Sequence, residues 1–167
     1  TWSLRGMAEC IDTSGATNLD DPVLVQKPNG TLWLLMRPSS GTNVYESFST
    51  DGGYTWTHAR ASKNIIGPQS RFTIDLLADG KMLMVFHDST KRSHLTAYLS
   101  LDGGETWEYK LLIDERSYVS YPDTIITPEG KIYVIYDRNR TTDKEVWMTV
   151  FTIEDIQNVF ILGGVTL

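Results

Sequence analysis

The sequence has a single cysteine, Cys10, in 167 residues. One thiol excludes an internal disulfide framework and any metal site built from several thiolates, and it is expected to be a buried structural side chain. His58 and His94 lack a partner spacing that would suggest a metal, so neither metal nor cofactor is implied. No run approaches the roughly 18 consecutive apolar residues of a membrane span. Basic runs are missing too, and the formal net charge is −6, which argues against nucleic acid as a partner. Thr1-Trp2-Ser3-Leu4 lacks the charged-then-apolar layout of a secretion signal, in a chain that is expected to begin in mid-repeat. Long amphipathic helical patterns are also lacking. Against these absences stand 8 tyrosines and 5 tryptophans, which tilt the expectation to an all-β fold.

What is present is a repeat. Ser49–Trp56 (STDGGYTW) and Ser100–Trp107 (SLDGGETW) both fit S-x-D-x-G-x-T-W, with Asp51 and Asp102 lying 51 residues apart. A second marker is in register with the first. Asn29-Gly30, Asp79-Gly80 and Glu129-Gly130 place their glycines 50 residues apart, and each is followed by a polar residue and five apolar ones (LWLLM, MLMVF, IYVIY). Such turns between apolar runs mark hairpins, because glycine accepts a positive φ without steric cost. An unbroken apolar strand is one covered on both faces. In the octapeptides, the Asp side chain can accept backbone N–H bonds of its own turn, which makes the motif a structural staple. Trp56 and Trp107 are expected to be buried at equivalent places.

One repeat then reads as four strands. The first has Pro22–Lys27, Thr31–Arg37, Val44–Ser49 and Thr55–Arg60; the second has Phe72–Leu77, Lys81–His87, Leu95–Ser100 and Thr106–Leu112. The third offers Thr124–Thr127, Lys131–Asp137 and Glu145–Thr152. A helical turn capped by Thr152 fits Ile153–Gln157, and Val159–Leu167 or a segment from elsewhere supplies a fourth strand. Thr1-Trp2 resembles the tail of an earlier octapeptide. Four-stranded units of this length are β-propeller blades. The expected division is residues 1–20 as the end of a preceding blade and a connection, then blades at 21–62, 70–113 and 120–167. Three blades leave an open arc with exposed edges. Further blades, from an N-terminal part or another copy, are therefore expected partners.

Register also collects the reactive side chains. Nine residues before the hairpin glycines stand Asp21, Arg71 and Tyr121; seven after them stand Arg37, His87 and Asp137. Both sets fall at the blade end opposite the hairpin, where Arg92 opens a third strand. Singly, each reads as a solvated strand-end residue. Six in register around one axis point to a ligand site.

These residues resemble the sialidase (neuraminidase) superfamily of six-bladed Asp-box propellers, over almost the whole chain and roughly the C-terminal half of such a protein. The likeness rests on the order of the rim residues. An acidic residue enters an inner strand, an Arg leaves the next strand, and a second Arg opens RSHLTAYLS. The segment SYPDTI follows, and then a glycine hairpin and IYVIYDRNR. The resemblance implies Tyr121 as nucleophile with Asp21 as its acidic partner. It makes Arg37 and Arg92 two of three arginines on the substrate carboxylate, and Asp137 the counterpart of a supporting Glu. Arg71 and His87, from the repeat register rather than the resemblance, are further candidate substrate contacts. The resemblance further implies a glycan or acidic sugar as substrate and a secreted or periplasmic location.

Sialic acid carries a carboxylate on its anomeric carbon, so a neutral phenol avoids the repulsion that an Asp or Glu nucleophile would meet. Phenols ordinarily ionise near pH 10, hence the need for a base and nearby cations. Guanidinium pairs bind carboxylates bidentately. Asp21 stands where the family has Glu, one methylene shorter. The family's third Arg, in a Phe/Tyr-Arg-Ile-Pro-like motif, and its acid/base Asp belong to N-terminal blades, and no such motif occurs here. Two other readings stay open: a non-catalytic glycan-binding propeller, and a polysaccharide lyase on uronic-acid chains with Tyr121 or His87 as base.

Overall fold

The structure, a computed structural model, describes residues 3–10 and 18–161. Among these described residues eleven strands and one helix follow in order: β1 Leu19–Gln26, β2 Leu32–Pro38, β3 Asn43–Ser49, β4 Arg60–Ile66, β5 Thr73–Leu76, β6 Met82–His87, β7 Leu95–Ser100, β8 Tyr109–Asp114, β9 Val119–Ile126, β10 Lys131–Arg138, β11 Glu145–Thr152 and α1 Ile153–Ile161. They form three antiparallel meanders, β1-β2-β3-β4, β5-β6-β7-β8 and β9-β10-β11. These are propeller blades, with β1 lying against β5 and β5 and β6 lying against β9.

Strand alternation explains how the blades stack. Met82, Met84 and Phe86 of β6 pack with Trp33, Leu35, Val44 and Ile65 of the first blade. Leu83 and Val85, on the opposite face of β6, pack with Ile132, Val134 and Phe151 of the third. Every residue of β6 and β7 is buried, as an apolar run sandwiched on both faces requires.

Three hairpins hold each blade's first two strands in the same register. Gly30, Gly80 and Gly130 take φ of 85°, 85° and 81°. Their N–H groups donate to Lys27, Leu77 and Thr127 carbonyls at 2.9, 3.0 and 2.9 Å. The loops are therefore three-residue turns closed by a left-handed glycine. The octapeptide turns are equally alike. Asp51 Oδ1 accepts from Tyr54 N (3.0 Å) and Thr55 N (2.9 Å), and Oδ2 accepts from the Thr55 hydroxyl (2.6 Å). Asp102 repeats this with Glu105 N (3.0 Å), Thr106 N (2.9 Å) and the Thr106 hydroxyl (2.6 Å).

Those bonds also correct the expected fourth strands. Thr55 and Thr106 are tied into the turns, so pairing begins only at Arg60 and Tyr109, not at Thr55 and Thr106. Trp56 and Trp107 are half-buried rather than fully enclosed. Trp56 Nε1 donates to Gly53 O (3.1 Å), and Trp107 packs against the core between the first two blades. Cys10, expected inside, is exposed and pairs by a single parallel bridge with Ala59. The helix extends past the expected Gln157 to Ile161 and takes Val159–Ile161, so no strand starts at Val159. Thr152 does cap it: Asp155 N donates to the Thr152 hydroxyl (3.2 Å), and Thr152 N donates to Asp155 Oδ2 (2.7 Å). Residues 162–167 and the Thr1-Trp2 pair lie outside the described residues.

Candidate functional site

Two backbone irregularities build the rim. In β1 the register slips between Asp20, opposite Arg37, and Val23, opposite Leu35. In β9 it slips between Ser120, opposite Asp137, and Asp123, opposite Ile135. Each slip is a β-bulge that sets two residues against one. The bulged residues are Asp21-Pro22 and Tyr121-Pro122, and Asp21 and Tyr121 take φ of 46° and 55°. A left-handed conformation costs a non-glycine residue about 1–2 kcal/mol, and the following proline forbids the ordinary helical alternative. Two non-glycine residues at the same repeat position thus carry the same strain, a pattern that clusters at functional sites.

Around Tyr121 the structure gathers a charged cluster. The Arg140 guanidinium lies 3.9 Å from the ring centroid and that of Arg92 lies 5.3 Å away. Arg140 Nη2 is paired with Asp137 Oδ2 at 3.0 Å and donates to Ser120 Oγ at 2.9 Å. Ser120 Oγ in turn donates to Asp137 Oδ1 at 2.7 Å. Arg92 Nη2 donates to Gln69 O at 2.8 Å, and the Gln69 amide reaches Gly41 O in the β2–β3 turn at 3.3 Å. The rims of all three blades are therefore joined.

The first blade keeps its own pair. Arg37 Nε donates to Asp21 Oδ2 at 2.7 Å, with Asp20 at 3.5 Å from Nη2. No hydrogen bond joins Tyr121 to Asp21, whose Oδ2 accepts from Arg37. Arg71, at the equivalent position before β5, sits 3.7 Å from Asp123 on a largely exposed pair. Nearby Asp75 is held above the usual carboxylate range by burial and, second, by Asp123. Its Oδ2 is enclosed without a partner.

His87 departs from the expected rim contact. It is fully buried, its Nε2 meets Val119 O at 2.9 Å, and its Nδ1 has no partner. A carbonyl only accepts, so Nε2 carries the proton. Burial pushes the imidazole down to about 4, with Arg92 adding to the shift against the opposing pulls of the Val119 carbonyl and Asp137. A neutral, enclosed ring cannot touch a sugar; it props the strand beneath Ser120. Among the described residues no group of three or more His, Cys, Asp or Glu could hold a metal ion.

A family model for the BNR repeat-like domain matches residues 1–134. The chain belongs to the BNR repeat-like domain family. Solved structures share its fold. The intramolecular trans-sialidase of Ruminococcus gnavus superposes with a TM-score of 0.68 at 21% identity, over 89% of this chain and 35% of that one. The leech intramolecular trans-sialidase gives 0.70 at 18%, over 90% and 26%. A Hadza microbial sialidase gives 0.71 at 22%, over 83% and 28%. The BNR-repeat chain thus spans about a quarter to a third of these proteins, a part of each fold rather than the whole. Among curated proteins, none matches it.

In this BNR-repeat chain the structure brings Tyr121, Arg92 and Asp137 into one cluster and leaves Asp21 with Arg37 in another. Arg140 and Ser120, which tie that cluster together, escaped the register argument. Arg140 lies three residues past Asp137 in a turn whose length has no counterpart in the other blades. The two X-Pro dipeptides at the bulges were the signal available in the sequence for the strained backbone.

Proposed function

We propose that this chain supplies part of the site of a sialidase-type glycoside hydrolase that cleaves a terminal acidic sugar from glycans. The observation that carries the reading is the shared bulge, which presents Asp21 and Tyr121 on a rim already bearing Arg37 and Arg92. The solved R. gnavus relative holds oseltamivir carboxylate and the leech relative 2,7-anhydro-Neu5Ac, both acids. In this scheme the arginines neutralise the carboxylate on the anomeric carbon, and the Tyr121 oxygen attacks that carbon as its glycosidic C–O bond breaks, the leaving oxygen taking a proton from an acid supplied by another blade; water then displaces the tyrosine and frees the acidic sugar. Asp21 accepts the phenolic proton after turning away from Arg37, whose guanidinium then moves to the substrate. Tyr121→Phe in the full-length protein should abolish release of 4-methylumbelliferone from its sialoside while sialic acid binding persists. Release at the parent rate by that variant would end the proposal.

A specific observation favours a second reading. Asp21 is bonded to Arg37 and not to Tyr121, which suits a propeller that binds glycans without hydrolysing them. Binding without release of any sugar by the parent protein is its signature. An unsaturated, ultraviolet-absorbing product would instead assign a lyase.

Trp33 and Leu35 of the first blade and Leu83 and Val85 of the second face the following blade and are all but fully buried. Tyr133 and Ile135 occupy the equivalent positions of the third, where Ile135 is 46%, Met148 64% and Val150 52% exposed. The occupant of that face is a further blade, from another part of the protein or a second copy.

A further inference from the structure

The outer strand of the first blade departs from its pairing partner. Between Ala61, opposite Tyr45, and Ile66, opposite Asn43, β4 carries more residues than β3 can pair. The surplus bulges towards the second blade, where Asn64 Nδ2 donates to Glu105 O at 3.0 Å. Between that bulge and the second blade lies a cavity of about 380 Å³, the size of a small-ligand site. None of Asp21, Arg37, Arg92 and Tyr121 lines it. Its floor is apolar and aromatic, made by the buried Met84, Phe86 and Tyr98. The charges along its walls are matched. Asp88 pairs with Lys110 at 3.0 Å, and Glu105 pairs with Lys27 at 2.7 Å. A paired carboxylate keeps lone pairs for hydroxyl groups, and a paired ammonium keeps donors. One further donor has no acceptor. Trp56 and Trp107 hold the same place in their octapeptides, and Trp56 satisfies its indole N–H on Gly53 O at 3.1 Å. Trp107 lines the cavity, and its Nε1 is enclosed without a partner. Such a donor is destabilising until an oxygen meets it.

We infer that this cavity between the first two blades binds a neutral pyranose sugar, with the Trp107 indole N–H donating to one of its oxygens. The C–H face of the sugar lies on the aromatic floor, and its hydroxyl groups meet Asp88, Glu105 and Lys110. A turn of the half-buried Trp107 ring brings its N–H to the ligand. A carboxylate or ammonium group on the sugar finds no unmatched charge here and is better solvated by water, so the site prefers the uncharged unit. The inference goes beyond the hydrolase reading and does not depend on it, because no residue of the proposed clamp enters the cavity.

The test follows the indole N–H resonances of the full-length protein by NMR during titration with methyl β-galactoside, methyl β-glucoside and methyl β-N-acetylglucosaminide. Glucuronic acid and glucosamine serve as charged counterparts. At least one neutral glycoside should move the Trp107 N–H resonance and slow its hydrogen exchange, while the Trp56 resonance stays in place. The charged sugars should need concentrations at least about fivefold higher for the same response. Trp107→Phe keeps a ring and removes the donor. Read from the Asn64 amide resonances, it should weaken the neutral glycoside about fivefold, as the loss of one neutral hydrogen bond implies. Lys110→Gln alters an exposed pair and leaves Asp88 uncompensated, so it should turn the preference to glucosamine. Tyr121→Phe should leave every one of these titrations unchanged, which separates this site from the fate of the hydrolase reading. An unmoved Trp107 resonance with all three neutral glycosides, an equal response to neutral and charged sugars, or full affinity in Trp107→Phe would overturn the inference.

Discussion

The octapeptide turn of the second blade allows its stability to be worked out from a single carboxylate. Asp102 accepts from two backbone N–H groups, and its oxygens also take the hydroxyls of Thr106 (2.6 Å) and Ser100 (2.7 Å). Burial alone would raise its pKa. The bonds from Thr106, Ser100 and Glu105 outweigh that and bring it from 3.8 to about 2. At about 1.36 kcal/mol per pH unit this would be worth roughly 2 kcal/mol, and solvent screening at an exposed side chain reduces it to about 1 kcal/mol. Asp102→Asn keeps one acceptor and the shape, and loses the charge. The opening of this turn should then become about fivefold more frequent at pH 7, read as the protection of the Thr106 amide in native-state hydrogen exchange. A carboxyl with a depressed folded pKa stabilises fully above 3.8 and loses that contribution as the pH falls towards 2. The gap between parent and variant should therefore close over that window. Equal Thr106 protection at pH 7, or a gap that persists at pH 2, would refute the account.

The buried His87 gives a pH dependence of the same sign at higher pH. Its pKa is lowered from 6.5 to about 4, so the unfolded state binds a proton first, and stability should fall by up to about 3 kcal/mol as pH drops from 6.5 to 4. His87→Gln should flatten that part of a melting-temperature profile. Gly104 has φ of 87° and lies under the Trp33 ring of the first blade, so Gly104→Ala meets both strain and a clash. It should cost more than about 2 kcal/mol in chemical unfolding. Trp107→Ala, at a half-buried ring, should cost about 2–3 kcal/mol, below the range for a fully enclosed tryptophan. Met148→Lys on the open face of the third blade should leave that blade's hydrogen exchange unchanged and weaken its union with the next, seen as a slower-sedimenting or less cross-linked species.

Local periodicity was enough to specify the blades. The positions of Gly30, Gly80 and Gly130, and the unbroken apolar runs after them, determine hairpin, strand order and the faces that stack, because each depends on residues within one repeat. Rim position was legible for the same reason: Asp21, Arg37, Arg92, Tyr121 and Asp137 fall at strand ends whatever the neighbouring blade does. Contacts between those residues were not. Asp21 meets Arg37 and not Tyr121, and the sequence determines only that Asp21 and Tyr121 each stand before a proline. His87 reads as a rim residue in register, yet it is sealed because the third blade brings Val119 across it. Arg140 joins Tyr121 through a turn of irregular length, and Thr55 and Thr106 are held out of the outer strands by bonds to Asp51 and Asp102. Repeats encode what is alike among the blades. Only tertiary packing decides which unlike side chains, each from a different blade, come within a few ångströms of one another, since that distance is set by stacking and not by spacing along the chain.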